Sequence, residues 1–415
     1  MLTKIKSTII FFIIYCSSFS QERYHRIDIS DGKSSLFTMN QFNNIVLEGY
    51  RLAFSQFNYN NLTNKEKKTI ALSQTITTAF LLLPFTHEEG HRSILTNLGI
   101  GSISTPFIDY NGVAKVTGIS NETLQNLRNT QLPSYIRLHT GGLESDFDFL
   151  KKEDALFNFN EENYNVLYRD YLVRSFSVFS YYLTTLIHIK SNIKESDNSE
   201  KDRDAVGHDI YGMVRHLHRP EMTFSRYTEW NDLSSEEQIY SKRIGLLSFL
   251  NLTNPNIWKK GNFTLSEKTD INFSLNYSLA PFGDFVEQNV YLNFNNKLKI
   301  NPFLREYFNK SHTFLSAGVS LHNLNINNKF LINGAAEIWN QPKNLDFITS
   351  QSSAGFSIKG EVGYNFLHVN AKNIFFNLGF NFKTNGFVPS APSLDKDFRI
   401  NFGLIISSNQ NFTVD

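Results

Sequence analysis

The sequence predicts an α+β protein: a mainly helical N-terminal domain followed by an antiparallel β-barrel of about eight strands. Two observations carry this. Hydrophobic residues follow a helical rhythm up to about residue 255, and from Asn262 onward they alternate with polar ones at a period of two. Aromatic content is the second: 38 Phe, 18 Tyr and 3 Trp make 14% of 415 residues, an enrichment expected where rings cover sheet faces or meet lipid. The length favours two domains. A balance of 40 Lys+Arg against 39 Asp+Glu gives a formal charge of +1, with no basic excess to suggest a nucleic-acid partner. A hydrophobic share of 41% excludes wholesale disorder.

Residues 1–20 read as a signal peptide. Lys4 and Lys6 form a basic start, Ile9 to Tyr15 a short apolar run, and Ser18 and Ser20 supply small residues before Gln21. The run is too short to span a bilayer. Cys16 could be acylated in a lipoprotein, but Tyr15 stands where a small residue belongs. Cleavage after Ser20 removes the single cysteine, so the mature chain is expected to have no disulfide, no cysteine metal site and no cysteine nucleophile. The expectation is an exported protein.

Residues 21–255 form the helical domain. Thr69 to Thr86 is a run without charge, Ser175 to Ile189 a second, and Ile244 to Leu252 a shorter third. Each is short for a spanning helix and carries polar residues, so buried core helices are expected, with membrane-embedded helices as the alternative. Lys190 to Asp204 reads as a charged loop. Residues 256–415 form the barrel domain. Ile271-Phe273-Leu275-Tyr277-Leu279 alternate with Asn and Ser, and the rhythm returns through Phe356-Ile358-Gly360-Val362-Tyr364-Phe366 to Phe398-Ile400-Phe402-Leu404-Ile406. One face is apolar and aromatic, the other Asn, Ser and Lys. This suits a lipid-facing barrel, with a soluble sandwich as second reading. Trp339 reads as an interface anchor in a turn after Phe330 to Ile338.

The chemistry lies at the end of the first apolar run, in His87-Glu88-Glu89-Gly90-His91. On a helix, positions i and i+4 share a face, so both histidines can reach one zinc ion while Glu88 stands where a general base belongs. Zinc bound there would leave room for a third ligand and a water whose proton Glu88 takes and passes to the leaving amine. Among the remaining features, His208, His216 and His218 are further candidates, and Arg215, His216, His218 and Arg219 form a small basic cluster read as a solvated face. No Walker loop, dinucleotide-binding glycine pattern or serine-hydrolase elbow occurs.

This motif resembles the zincin metallopeptidases, which implies His87 and His91 as metal ligands, Glu88 as base and zinc as cofactor. In glutamate-type zincins the third ligand is a Glu on a later helix, often followed four residues on by Asp. Glu144 with Asp148 fits that pattern, Asp148 then orienting a ligating histidine. An apolar helix leading into HExxH, a strand pair at Ile103 to Ile108 and Val113 to Val116, and a glycine-rich helix start also look like site-2-type proteases. That resemblance implies a late aspartate, here Asp209 in Gly207-His208-Asp209-Ile210. Glu144 is the preferred third ligand and Asp209 the alternative. The C-terminal region resembles small eight-stranded outer-membrane β-barrels in pattern alone, and it departs from them by running on past Ile406 to Asp415.

Together these readings give an exported zinc endopeptidase that hydrolyses peptide bonds with a zinc-activated water and acts on peptide or protein. It would sit in the outer membrane, with its helical domain in the periplasm or at the cell surface. The alternative is a non-enzymatic outer-membrane barrel whose helical domain binds a partner. A third reading is an intramembrane protease of the inner membrane.

Overall fold

A computed structural model describes residues 23–30, 38–105, 114–188, 199–369 and 372–408. Residues 1–20, the expected signal peptide with Cys16, lie outside the described residues, as does most of the 190–204 segment expected to be a charged loop. The chain is mixed α+β: seven helices precede most of a large antiparallel sheet. The helices are α1 (Met39–Phe54), α2 (Asn64–Asn97), α3 (Asn121–Thr130), α4 (Leu132–Asn158), α5 (Tyr164–Ile187), α6 (Asp209–His218) and α7 (Ser235–Leu247).

Local sequence explains where they start. Thr38 and Gln41, Thr63 and Glu66, and Ser234 and Glu237 form reciprocal capping boxes at α1, α2 and α7. Pro133 sits in the first turn of α4, where its missing N–H leaves no helical bond unmade. Within α2, residues Thr78–Leu82 form a π turn, and Thr78 bonds the buried Asp170, itself paired with Arg174 of α5 at 2.8 Å.

Strand β1 (Arg23–Ser30) comes from the N-terminal part and pairs with the last strand. A separate hairpin joins β2 (Ile103–Thr105) to β3 (Lys115–Thr117), near the expected strand pair but shorter among the described residues. The remaining strands are β4 (Phe263–Ser266), β5 (Thr269–Ala280), β6 (Gly283–Phe294), β7 (Leu298–Phe308), β8 (Thr313–Ile326), β9 (Phe330–Pro342), β10 (Ser352–Val369), β11 (Lys372–Lys383) and β12 (Asp397–Ser408). The sheet runs β1-β12-β11-β10-β9-β8-β7-β6-β5-β4. It therefore has ten strands rather than about eight, and it is not closed into a barrel, because β1 and β4 are not paired with each other. The alternating pattern marks strands and their two faces, but strand count and closure depend on edge partners that periodicity does not encode.

The sheet's polarity is inverted relative to a soluble core. Phe356, Ile358 and Val362 of β10, Phe376, Leu378 and Phe380 of β11, and Phe398, Ile400 and Phe402 of β12 are exposed. Their alternating neighbours Glu361, Asn377 and Asn401 are buried. Inside, Arg305 is held by Glu287 and Glu337, both at 2.5 Å, and Lys299 meets Glu161 at 2.8 Å. Buried charges require such partners. Trp339 faces inward too, 3% exposed within β9 rather than in a turn. A cavity of about 490 Å³ lies between this face and α1 and α4, lined by paired charges such as Arg26, Glu361 and Lys152.

Helices and sheet share a core: Ile136, Leu143, Val178, Ile210 and Met213 pack with Tyr277 and Leu279 of β5. The closest helix contact is between α2 and α4. A Cβ on Gly90 would lie 2.2 Å from the Gly141 carbonyl oxygen, and one on Gly141 would lie 2.6 Å from Ile94. Only glycines let these backbones meet. Gly90→Ala is expected to cost about 1–3 kcal/mol through forced separation of the helices, read as a lowered melting temperature. Gly49→Ala, on α1 with no neighbouring atom within 4 Å, is expected to be neutral or stabilising by up to about 1 kcal/mol.

Candidate metal centre

The crossing at Gly90 brings the HExxH face of α2 against α4. A Cβ on Gly142 would fall 2.3 Å from His87 Nε2, so the absent side chain is the space the imidazole occupies. On the α4 side, Asp146 lies one turn beyond Gly142, and its Oδ2 is 2.8 Å from His87 Nδ1. His91 Nδ1 is 2.7 Å from the carbonyl oxygen of Leu138. Each ring thus has an acceptor at Nδ1, which would keep a proton there and offer the Nε2 lone pair when a metal ion takes the place of the Nε2 proton.

Both free nitrogens point at one carboxylate. Asp209 Oδ2 is 3.2 Å from His87 Nε2 and 3.5 Å from His91 Nε2. Ligands about 2.0–2.1 Å from a tetrahedral zinc ion stand about 3.3–3.4 Å apart, so the spacing suits one such ion. These are the three residues among those described that could hold a metal, their ligand atoms lying within 4.8 Å of one another. Asp209 opens α6, where the helix dipole favours a carboxylate, and its backbone N–H donates to the Tyr181 hydroxyl at 3.3 Å. Burial opposes its ionisation. The charge of His91 and the hydrogen bonds from His87 and His91 outweigh burial and hold the carboxyl well below the usual range.

Glu88 is buried beside the cluster, and no ion pair with a described residue occupies its carboxylate. Its neighbour Glu89 is taken by Arg92 at 2.6 Å. Of the motif's two glutamates, Glu88 is the one without a cationic partner among the described residues.

Glu144 does not join the histidines. Its carboxylate accepts a two-pronged contact from Arg137, at 2.9 and 2.6 Å, and the Ser390 N–H at 2.7 Å. Asp148 orients no histidine; it bonds Asn43 at 2.9 Å and pairs with Lys152. The helix period gives the reason. Gly141 and Gly142 mark the face of α4 turned to α2, and at about 100° per residue Asp146 returns to that face while Glu144 lies about 200° round. Asp146 was not singled out from the sequence, where its four-residue spacing from Gly142 was the available signal, and the carbonyl of Leu138 and the hydroxyl of Tyr181 leave no signature there. Of the other histidines, His208 stacks on Tyr211, and His218 Nδ1 contacts the Val214 carbonyl at 2.9 Å. Arg219 of the basic cluster pairs with Glu237. The 490 Å³ cavity lies across α4 from the cluster, and its lining includes neither His87, His91 nor Asp209.

Comparison of the chain with protein-family models, with curated proteins and with solved structures finds no match in any of the three. A His-His-Asp group able to hold a metal ion stands on the geometry alone.

Removing the outer partner should loosen the site without destroying it: Asp146→Asn is expected to weaken metal binding about 10–100-fold in chelator competition. Gly142→Ala should weaken it by displacing the His87 ring, and Asp209→Asn by removing the charged ligand, while Glu144→Gln should leave it unchanged. Behind the cluster, His139 is fully buried with neither ring nitrogen bonded, and burial pushes its imidazole down to about 3. An unfolded histidine titrates near about 6.5, so below that pH the unfolded chain binds a proton that the native state refuses. Stability is then lost as pH falls from about 6.5 toward about 3. The melting temperature should drop over that window, less steeply in His139→Leu.

Proposed function

We propose that this chain is a membrane-associated, zinc-dependent endopeptidase. The observation that carries the reading is the convergence of His87 Nε2, His91 Nε2 and Asp209 Oδ2, with each Nδ1 held from behind by Asp146 or the Leu138 carbonyl. Two imidazoles and one carboxylate suit zinc and leave a fourth position open.

Zinc there would act as a Lewis acid and lower the pKa of a coordinated water toward about 7. The chain's own groups do the rest. Glu88 accepts the proton and returns it to the leaving amine. Asp146 and the Leu138 carbonyl keep the imidazoles in one orientation, so the ligands need no rearrangement as charge develops. Peptide or protein is the substrate class this chemistry serves. An HExxH helix combined with a late aspartate is the set implied by the resemblance to site-2-type proteases.

For location, the reading is export by the 1–20 segment and residence in the outer membrane. Support comes from the sheet, which turns its aromatic face outward and its charges inward, the polarity of a wall in lipid. Glu88→Gln is expected to abolish peptide hydrolysis, by at least about 10²-fold for loss of the general base, while retaining about one zinc per chain. A chelator should remove the wild-type activity and added zinc restore it. An unchanged rate in Glu88→Gln, or no hydrolysis by the zinc-loaded wild type across a peptide library, would leave a non-enzymatic membrane protein.

A further inference from the structure

An open sheet in hydrocarbon is a contradiction, because every unpaired backbone group at its edges would lack a hydrogen-bond partner. This chain packs helical segments against β1 and β5, at the two ends of the sheet. On one side, β4 pairs with β5 only as far as Ile271, leaving Asn272 to Ala280 without a strand on that edge. There Asn251, in the 3-10 turn Ser248–Thr253, takes the place of a strand. Its Nδ2 donates to the Tyr277 carbonyl at 3.1 Å, and its Oδ1 accepts the Tyr277 N–H at 2.6 Å. On the other side, Arg51 of α1 donates to the Tyr24 carbonyl of β1 at 3.0 Å, with His25 and Glu48 in contact at 2.8 Å.

The two covers are joined. Leu47, Tyr50 and Phe54 of α1 pack with Ile70 of α2, with Val166 and Tyr171 of α5, and with Ile257 beyond the Asn251 turn. A continuous helical layer therefore runs from the β1 edge to the β5 edge. Its outer surface is apolar like that of the sheet. Leu72, Ile76 and Phe80 stand at four-residue spacing on α2 and are 60%, 49% and 64% exposed, a single stripe. Phe176 of α5 and Phe249 are exposed as well. The most apolar 18-residue window of α2 is only 22% buried, whereas a core helix of that composition hides its stripe. Eighteen residues rise about 27 Å, close to the roughly 30 Å of a bilayer's hydrocarbon.

We propose that the helical layer and the ten strands form one closed wall, embedded together in the bilayer, with lipid acyl chains covering Leu72, Ile76 and Phe80 as they cover the outer face of the sheet. This rests on the membrane part of the functional reading and adds that the helices belong in the wall. One side chain at each edge bonds the strand backbone, the Asn251 amide on β5 and the Arg51 guanidinium on β1, the kind of contact a strand–helix seam in lipid needs.

The test uses the full mature chain with Cys16, where present, replaced by serine, carrying single cysteines labelled with bimane. Phe80→Cys and Leu72→Cys probe the helical layer, Leu378→Cys and Ile338→Cys the sheet, and Glu236→Cys, an exposed acidic position, serves as control. Each is reconstituted in phosphatidylcholine vesicles with and without brominated acyl chains. Equal quenching by bromolipid at the helix and sheet positions, with none at Glu236, is expected. Quenching at the sheet positions alone overturns the closed wall and leaves membrane residence standing. Quenching at the helix positions alone overturns the closed wall as well, and quenching at neither set removes both. All five substitutions lie on exposed side chains, and a far-ultraviolet spectrum matching wild type confirms that each variant is folded.

Discussion

The backbone contact between α2 and α4 at Gly90 and Gly141 is the constraint on which the rest of the site depends. At that distance no side chain fits between the helices, so the faces flanking the contact are pressed together. His87 fills the space above Gly142, Asp146 meets its Nδ1, and the Leu138 carbonyl meets His91. Further along the interface, the Ser145 hydroxyl donates to the Thr86 carbonyl at 2.8 Å, and Arg174 donates to the Thr86 hydroxyl at 2.8 Å. The turn that presents His87 is thus held from α4 and α5 at once. A wider crossing would leave two histidines on a helix with nothing behind them.

Much of this arrangement was legible in the sequence, because it follows from short-range periodicity. HExxH at helical spacing places His87 and His91 on one face whatever the fold, and alternation from Ile271 onward specifies strands with one apolar face. What the sequence left undecided depends on distant pairing. Glu144 and Asp209 are both acidic residues near glycine-rich helix segments, and only the crossing angle of α4 and the docking of α6 decide which reaches the histidines. Glu144 is drawn to Arg137, two turns back on the same face of α4, where it also receives the Ser390 N–H from the β11–β12 connection. Closure of the sheet was equally beyond periodicity. Residues 23–30 fall within the 21–255 segment expected to be helical, yet they form the strand at one end of the sheet.

The distribution of polarity gives the two parts a common logic. Charged residues that a soluble sheet would turn to water are paired inside, around a cavity walled by the sheet and by α1 and α4. Apolar residues that a soluble core would bury are outside, on strands and helices alike. Burying paired ions gives little net stability compared with apolar packing, so this inversion suits the proposed residence in lipid, where the outer surface would itself be removed from water. The candidate metal-binding face of α2 lies further along the same helix than its exposed stripe.

The coordination shell is the most direct test of the account. X-ray absorption at the zinc edge of the zinc-loaded full chain should show two imidazole nitrogens at about 2.0–2.1 Å together with light oxygen scatterers, and Asp209→Asn should alter the oxygen shell while Glu144→Gln leaves it as in wild type. A shell without paired imidazole scattering, or one that responds to Glu144→Gln and ignores Asp209→Asn, would contradict the site described here.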